Sequence, residues 1–160
     1  MTREEFVERY GGIYEHSVWV AEQVFDEQPV NEEIDLAPLF ADCVNRADEQ
    51  IRLTLIRAHP DLAGKAAIAG ELTEDSSVEQ QRAGINQCTP QEFEMFQSLN
   101  DRYKEKFGFP FVMAVRNSTR QEILAAFSTR LDNEKQTEFE TAISEIHQIA
   151  GMRLAVMSGQ

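Results

Sequence analysis

A histidine, a carboxylate three positions after a serine, and an arginine on an apolar face are the groups in this chain that could do chemistry. His59 ends an apolar-periodic stretch, Ile51-Arg52-Leu53-Thr54-Leu55-Ile56-Arg57-Ala58, and Pro60-Asp61-Leu62-Ala63-Gly64 follows at once. Proline disfavours helical geometry in the residue before it, which places His59 where a helix stops. An imidazole there is fixed by the helix yet can face a cleft. With an unperturbed pKa near ~6.5 it trades a proton close to neutral pH. The bland alternative is a polar cap bonded to the last carbonyls of the helix. Taken alone, His59 leaves both open.

Ser76-Ser77-Val78-Glu79 has the spacing of a capping box whether or not catalysis occurs, and Gln80 after it could be a solvated helix residue. Arg153 is the third oddity. The last helix carries an apolar stripe of Phe139, Ala142, Ile143, Ile146, Ile149 and Ala150, and its helical continuation includes Arg153. An arginine there must be paired, reach solvent past its neighbours, or meet a carboxylate. His16 and His147 have no motif around them and are assigned to ordinary polar positions.

Capping signals define the elements that must position these groups. Thr2 with Glu5 makes a capping box, and Gly11-Gly12 stops the first helix. Tyr14 to Glu27 is predicted helical, Asp35 caps a segment through Val44, and a further helix leads from Asp48 to Ala58. Lys65 to Ala69 is read as a short helical turn. Ser76 opens the next helix, and Thr89-Pro90-Gln91-Glu92 opens a long one to about Lys106. Thr119 with Glu122 starts another, and Asn133 starts the last, reaching about Val156. Phe107 to Val115 has no polar face and is read as buried extended backbone, with at least one of Phe107, Phe109 and Phe111 in the core. The expectation is a single all-α domain over residues 1–160, of roughly seven to nine helices and no sheet.

Composition narrows the function classes. An apolar fraction of 42% supports a core. The formal net charge of −13 argues against nucleic acid, because phosphate contacts need clustered Lys and Arg. No apolar run approaches the ~20 residues of a membrane span, and neither end resembles a secretory or peroxisomal signal, so a cytoplasmic protein is expected. Cys43 and Cys88 stand alone and are read as inert thiols, with no metal-ligand or phosphate-loop spacing anywhere.

Three stretches are unusual for a plain helical domain: Arg57 to Ala66, Ser76 to Gly84, and Phe107 to Arg116. With Leu99-Asn100 and Tyr103 they resemble the 2-oxo-4-hydroxy-4-carboxy-5-ureidoimidazoline (OHCU) decarboxylase family. The resemblance runs from about Gly11-Gly12-Ile13-Tyr14-Glu15-His16-Ser17 to Arg153-Leu154. One departure is that the family often has Ser-Pro-Trp where this chain has Ser17-Val18-Trp19.

The resemblance implies a cofactor-free decarboxylase that forms (S)-allantoin in the last step from urate, and a homodimer. It assigns His59 and Glu79 as catalytic. It assigns Pro60, Ser76, Ser77, Val78, Glu79, Gln80, the backbone of Phe111, Val112, Met113, Ala114 and Val115, and Arg153 to a small ureide substrate. The residue types suit that chemistry. Loss of carbon dioxide leaves an electron pair on a ring carbon, delocalised into the neighbouring unsaturated group, so no electron-sink cofactor is needed. One proton must then arrive on one face, which suits a positioned histidine. Two other classes compete: a helical module that binds a ureide without turnover, which would not need both His59 and Glu79, and a ureide hydrolase. For the latter no Ser-His-Asp set or metal set is legible.

Overall fold

Eight α-helices are present among the described residues of the computed structural model, which are 1–27, 34–64 and 71–159. They are α1 (Arg3–Tyr10), α2 (Trp19–Glu27), α3 (Leu36–Arg46), α4 (Glu49–Arg57), α5 (Glu74–Arg82), α6 (Pro90–Phe107), α7 (Arg120–Leu131) and α8 (Lys135–Met157). A 3-10 turn, Ile85–Gln87, separates α5 from α6, and no strand occurs among the described residues. The all-α expectation is met. The short turn read at Lys65 to Ala69 lies outside the described residues.

Local hydrogen bonding starts most of these helices. Reciprocal capping boxes form at Thr2 with Glu5, Thr89 with Glu92 and Thr119 with Glu122. Asp35 and Asp48 each accept one backbone N–H of the helix they precede. Such a cap stabilises a helix by about 0.5–2 kcal/mol, which is why a short sequence signal sufficed at these five starts.

Three starts differ from expectation. Helix α2 begins at Trp19, not Tyr14, because residues 11–18 form turns and His16 takes a φ of 48° that a right-handed helix cannot contain. Helix α5 begins before Ser76: Thr73 is its cap and accepts from the Ser76 N–H at 3.3 Å, so Ser76 lies inside the first turn. Helix α8 begins at Lys135, and the Asn133 amide donates to Glu138 Oε2 at 3.0 Å instead of capping.

The chain divides into two compact units, one of Met1–Ala58 with Ile146–Gln160 and one of His59–Glu145. In the first, α1 packs on α2 and α2 on α3. Phe6 is fully buried there, its ring 5.4 Å from Phe25 and 6.2 Å from Phe40. Arg153 is paired: its Nη2 donates to Glu15 Oε2 at 2.9 Å and its Nη1 to the Gly12 carbonyl at 3.2 Å, with both side chains buried. His147 bridges the Tyr14 hydroxyl at 2.8 Å and Asn45 Oδ1 at 2.9 Å. A neutral ring protonated on Nε2 satisfies both partners, and burial pushes its pKa down.

In the second unit α6 packs on α7 around an aromatic cluster. The Tyr103 ring lies 4.5 Å from Phe107, 5.5 Å from Phe111 and 5.8 Å from Phe127, and all four are buried. Gly108 ends α6 at φ 79°, donating to the Lys104 carbonyl at 2.8 Å. A side chain would strain that left-handed geometry. The turn brings Phe109 back to within 6.0 Å of Tyr103. Phe107, Phe109 and Phe111 are thus all core, and residues 109–115 are neither helix nor strand.

Candidate functional site

All of the predicted site residues except Arg153 fall within His59–Glu145. Helix α4 stops as expected: Ala58 is its cap, and the Ala58 N–H donates to the Thr54 carbonyl at 3.1 Å. His59 follows at 8% exposure, so its imidazole is held within the protein. Pro60 is half-buried beside it.

The loop after His59 is tightly held. Ala63 takes a φ of 53°, a left-handed conformation that costs a non-glycine residue ~1–3 kcal/mol and persists only where neighbours enforce it. The neighbours are visible. The Ala63 N–H donates to Gln80 Oε1 at 3.2 Å, and Gln80 Nε2 donates to the Asp61 carbonyl at 3.3 Å. Asn100 donates to the Leu62 carbonyl at 2.9 Å, and Gln97 to the Ala63 carbonyl at 2.5 Å. Lys104 donates to the Asp61 carboxylate at 2.7 Å. Gln97, Asn100 and Lys104 recur three and four apart on α6, so one helix face grips consecutive loop residues.

Helix α5 presents two faces. Ser76 and Gln80, one turn apart, are buried at 5% exposure each, whereas Val78 lies outward and exposed. Ser77 and Glu79 are half-buried. Gln80 is therefore not a solvated helix residue; it ties the helix bearing Ser76 and Glu79 to the loop that begins at His59. Beyond α5 is a cavity of about 480 Å³, within the range of small-ligand sites. Its walls include Ala63, Ser77, Gln80, Gln81, Ile85 and Phe93, but among the described residues neither His59 nor Glu79. Cys88 also lines it, and burial pushes that thiol up, away from reactivity.

The backbone of Phe111 to Val115 has protein partners of its own. Arg130 Nη1 donates to the Val112 carbonyl at 2.6 Å, and the Ser118 N–H to the Val115 carbonyl at 3.0 Å. The Ala114 N–H bonds to Glu145, whose carboxyl is nonetheless raised above the ordinary range by burial. Several backbone groups that sequence offered to a ligand thus already have protein partners. Gln97, Lys104, Arg130 and Glu138 escaped the sequence reading. The signal for the α6 pair was their spacing with Asn100, and no local signal marked the other two.

The family profile described as OHCU decarboxylase matches residues 1–155. The chain belongs to that family. A 2-oxo-4-hydroxy-4-carboxy-5-ureidoimidazoline decarboxylase of Halalkalicoccus jeotgali is 41% identical over 95% of this chain and 84% of its own. The uric acid degradation bifunctional protein PucL of Bacillus subtilis is 39% identical over 97% of this chain and 31% of its own. Among solved structures, an (S)-allantoin synthase matches with a TM-score of 0.76 and 34% identity, over 98% of this chain and 50% of its own. Within this OHCU decarboxylase family member, Val18 immediately precedes α2 and its carbonyl accepts from the Glu22 N–H at 3.2 Å. The departure from Ser-Pro-Trp therefore sits at a helix start in the unit without His59.

Proposed function

We propose that the protein decarboxylates 2-oxo-4-hydroxy-4-carboxy-5-ureidoimidazoline to (S)-allantoin in urate degradation. Family membership supports the reaction class, and the naming of relatives as OHCU decarboxylases and as a uric acid degradation protein supports the pathway. The observation that carries the site is the Gln80 carboxamide, bonded to both Asp61 and Ala63, which joins α5 to the loop starting at His59.

In this reading carbon dioxide leaves with its bonding electrons remaining on the ring carbon, and His59 delivers one proton to one face of that carbanion. Glu79 orients His59 or accepts from the substrate's hydroxyl and ureido groups. Pro60, Ser76, Ser77, Val78, Gln80 and the backbone of Phe111 to Val115 hold the flat ureide. Delocalisation within the substrate supplies the electron sink, so the proposal includes no cofactor. Residues 1–160 act as one functional domain, in the cytoplasm and as a homodimer. No described helix is long and apolar enough to cross a membrane. Arg153 is left to its ion pair with Glu15.

Stereochemistry tests the reaction. The substrate should be generated in situ from urate by the two preceding enzymes and allantoin followed by circular dichroism. An optically active, (S)-enriched product formed faster than the uncatalysed reaction is expected. Racemic allantoin at the uncatalysed rate from folded protein would sink the proposal and favour the binding-module reading.

A further inference from the structure

We propose that Arg130, anchored by Glu138, is a positioning residue that sets the orientation of the Val112–Met113 peptide. The proposal rests on reading Phe111 to Val115 as the ureide-holding segment. Residues 109–115 belong to no helix or strand, so no regular hydrogen-bond ladder orients their peptide groups. Arg130 does so at two points. Its Nη1 donates to the Val112 carbonyl at 2.6 Å, and its guanidinium carbon lies 4.3 Å from the centroid of the Phe111 ring. That ring is clamped from behind by Phe127, stacked at 3.9 Å and 9°.

The anchor is unusually complete. Glu138 is fully buried, and its Oε1 accepts from Arg130 Nε at 2.8 Å and from the Tyr103 hydroxyl at 2.5 Å. Its Oε2 accepts from Asn133 at 3.0 Å. A buried ion pair is often matched in stability by apolar side chains of the same size, so stability alone is a weak reason for this one. Direction is the stronger reason. In a trans peptide the C=O and the following N–H point opposite ways in one plane. With the Val112 carbonyl drawn to Arg130, the Met113 N–H is turned away from it, a donor of fixed direction for a ureide oxygen.

Arg130→Lys tests this, because it keeps the charge opposite Glu138 but not the planar two-point hold. With folding verified by near-ultraviolet dichroism, KM should rise by about tenfold or more, the worth of one misplaced hydrogen bond. The (S)-excess should fall, and kcat should change less. Should the lysine variant not fold, the double variant Arg130→Met with Glu138→Met removes both buried charges together and should give the same split. Wild-type KM and wild-type (S)-excess in either folded variant would overturn the proposal and return Arg130 to a purely structural ion pair. Racemic product from the parent enzyme would instead refute the decarboxylase reading, and this inference with it.

Discussion

Gln80 and Ala63 are joined across the loop that follows His59, the Ala63 N–H donating to Gln80 Oε1 at 3.2 Å while Ala63 sits at φ 53°. A side chain on one helix thereby holds a backbone conformation that the loop residue resists. Replacing Gln80 with leucine keeps the bulk but strands the Ala63 N–H and the Asp61 carbonyl. Each unmet buried group costs about 1–3 kcal/mol, so urea unfolding should show a loss of at least ~1 kcal/mol together with a fall in kcat/KM. Ala63→Gly removes the backbone penalty and should be neutral or stabilising by ~1 kcal/mol. A Gln80→Leu variant as stable and active as its parent would mean that the loop holds itself.

His59→Ala should lower the enzymatic rate by roughly 10²–10⁴-fold, the usual contribution of a positioned proton donor, and abolish the (S)-excess. Because His59 is buried, its fold must be checked by thermal unfolding alongside the rate. A folded variant with most of its activity would make His59 structural.

The cap of α5 separates stability from catalysis. Thr73→Ala removes the bond to the Ser76 N–H and should cost ~1 kcal/mol, whereas Ser76→Ala leaves that cap bond intact. Glu79→Gln keeps the length of the side chain and has no capping box to disturb, so a loss of activity of orders of magnitude in a folded variant is expected. Full activity in that variant would remove Glu79 from the mechanism.

Arg153 and Glu15 should behave as a coupled pair. Glu15→Gln leaves a buried guanidinium beside a neutral amide and should cost about 3–5 kcal/mol, while the double change with Arg153→Met should cost less than the two single losses added. Additive losses in a double-mutant cycle would show that other contacts hold Arg153.

His147 should make stability fall on the acid side. Burial lowers its pKa below the ordinary 6.5, so the unfolded chain binds more protons in the window between the two values. The stabilising contribution is complete above about 6.5 and is lost as pH falls through the depressed folded value. Urea midpoints measured from pH 7.5 down to pH 5 should drop less steeply for His147→Gln than for the parent. Equal slopes would assign the acid loss elsewhere.

What the sequence determined by itself is whatever hydrogen bonds close within a turn or two. Thr2, Asp35, Asp48, Thr89 and Thr119 cap helices because their partners are two or three residues away, and no distant contact can easily override them. The same locality explains the miss at Ser76. Thr73 and Ser76 both offer a capping oxygen, and capping at Thr73 lets the helix start earlier, with Ser76 in its first turn. Proline after His59 likewise marked the end of α4 without help from the fold. Tertiary structure alone decided the rest. Gln97 and Asn100 meet residues 34 and 38 positions away, Arg130 meets Val112 from the next helix, and Arg153 meets Glu15 across 138 positions. The Asn100 and Arg153 pairings place polar groups where water is excluded, and those of Gln97 and Arg130 are part-buried. Burial there leaves each donor or acceptor dependent on a partner that chain spacing cannot specify.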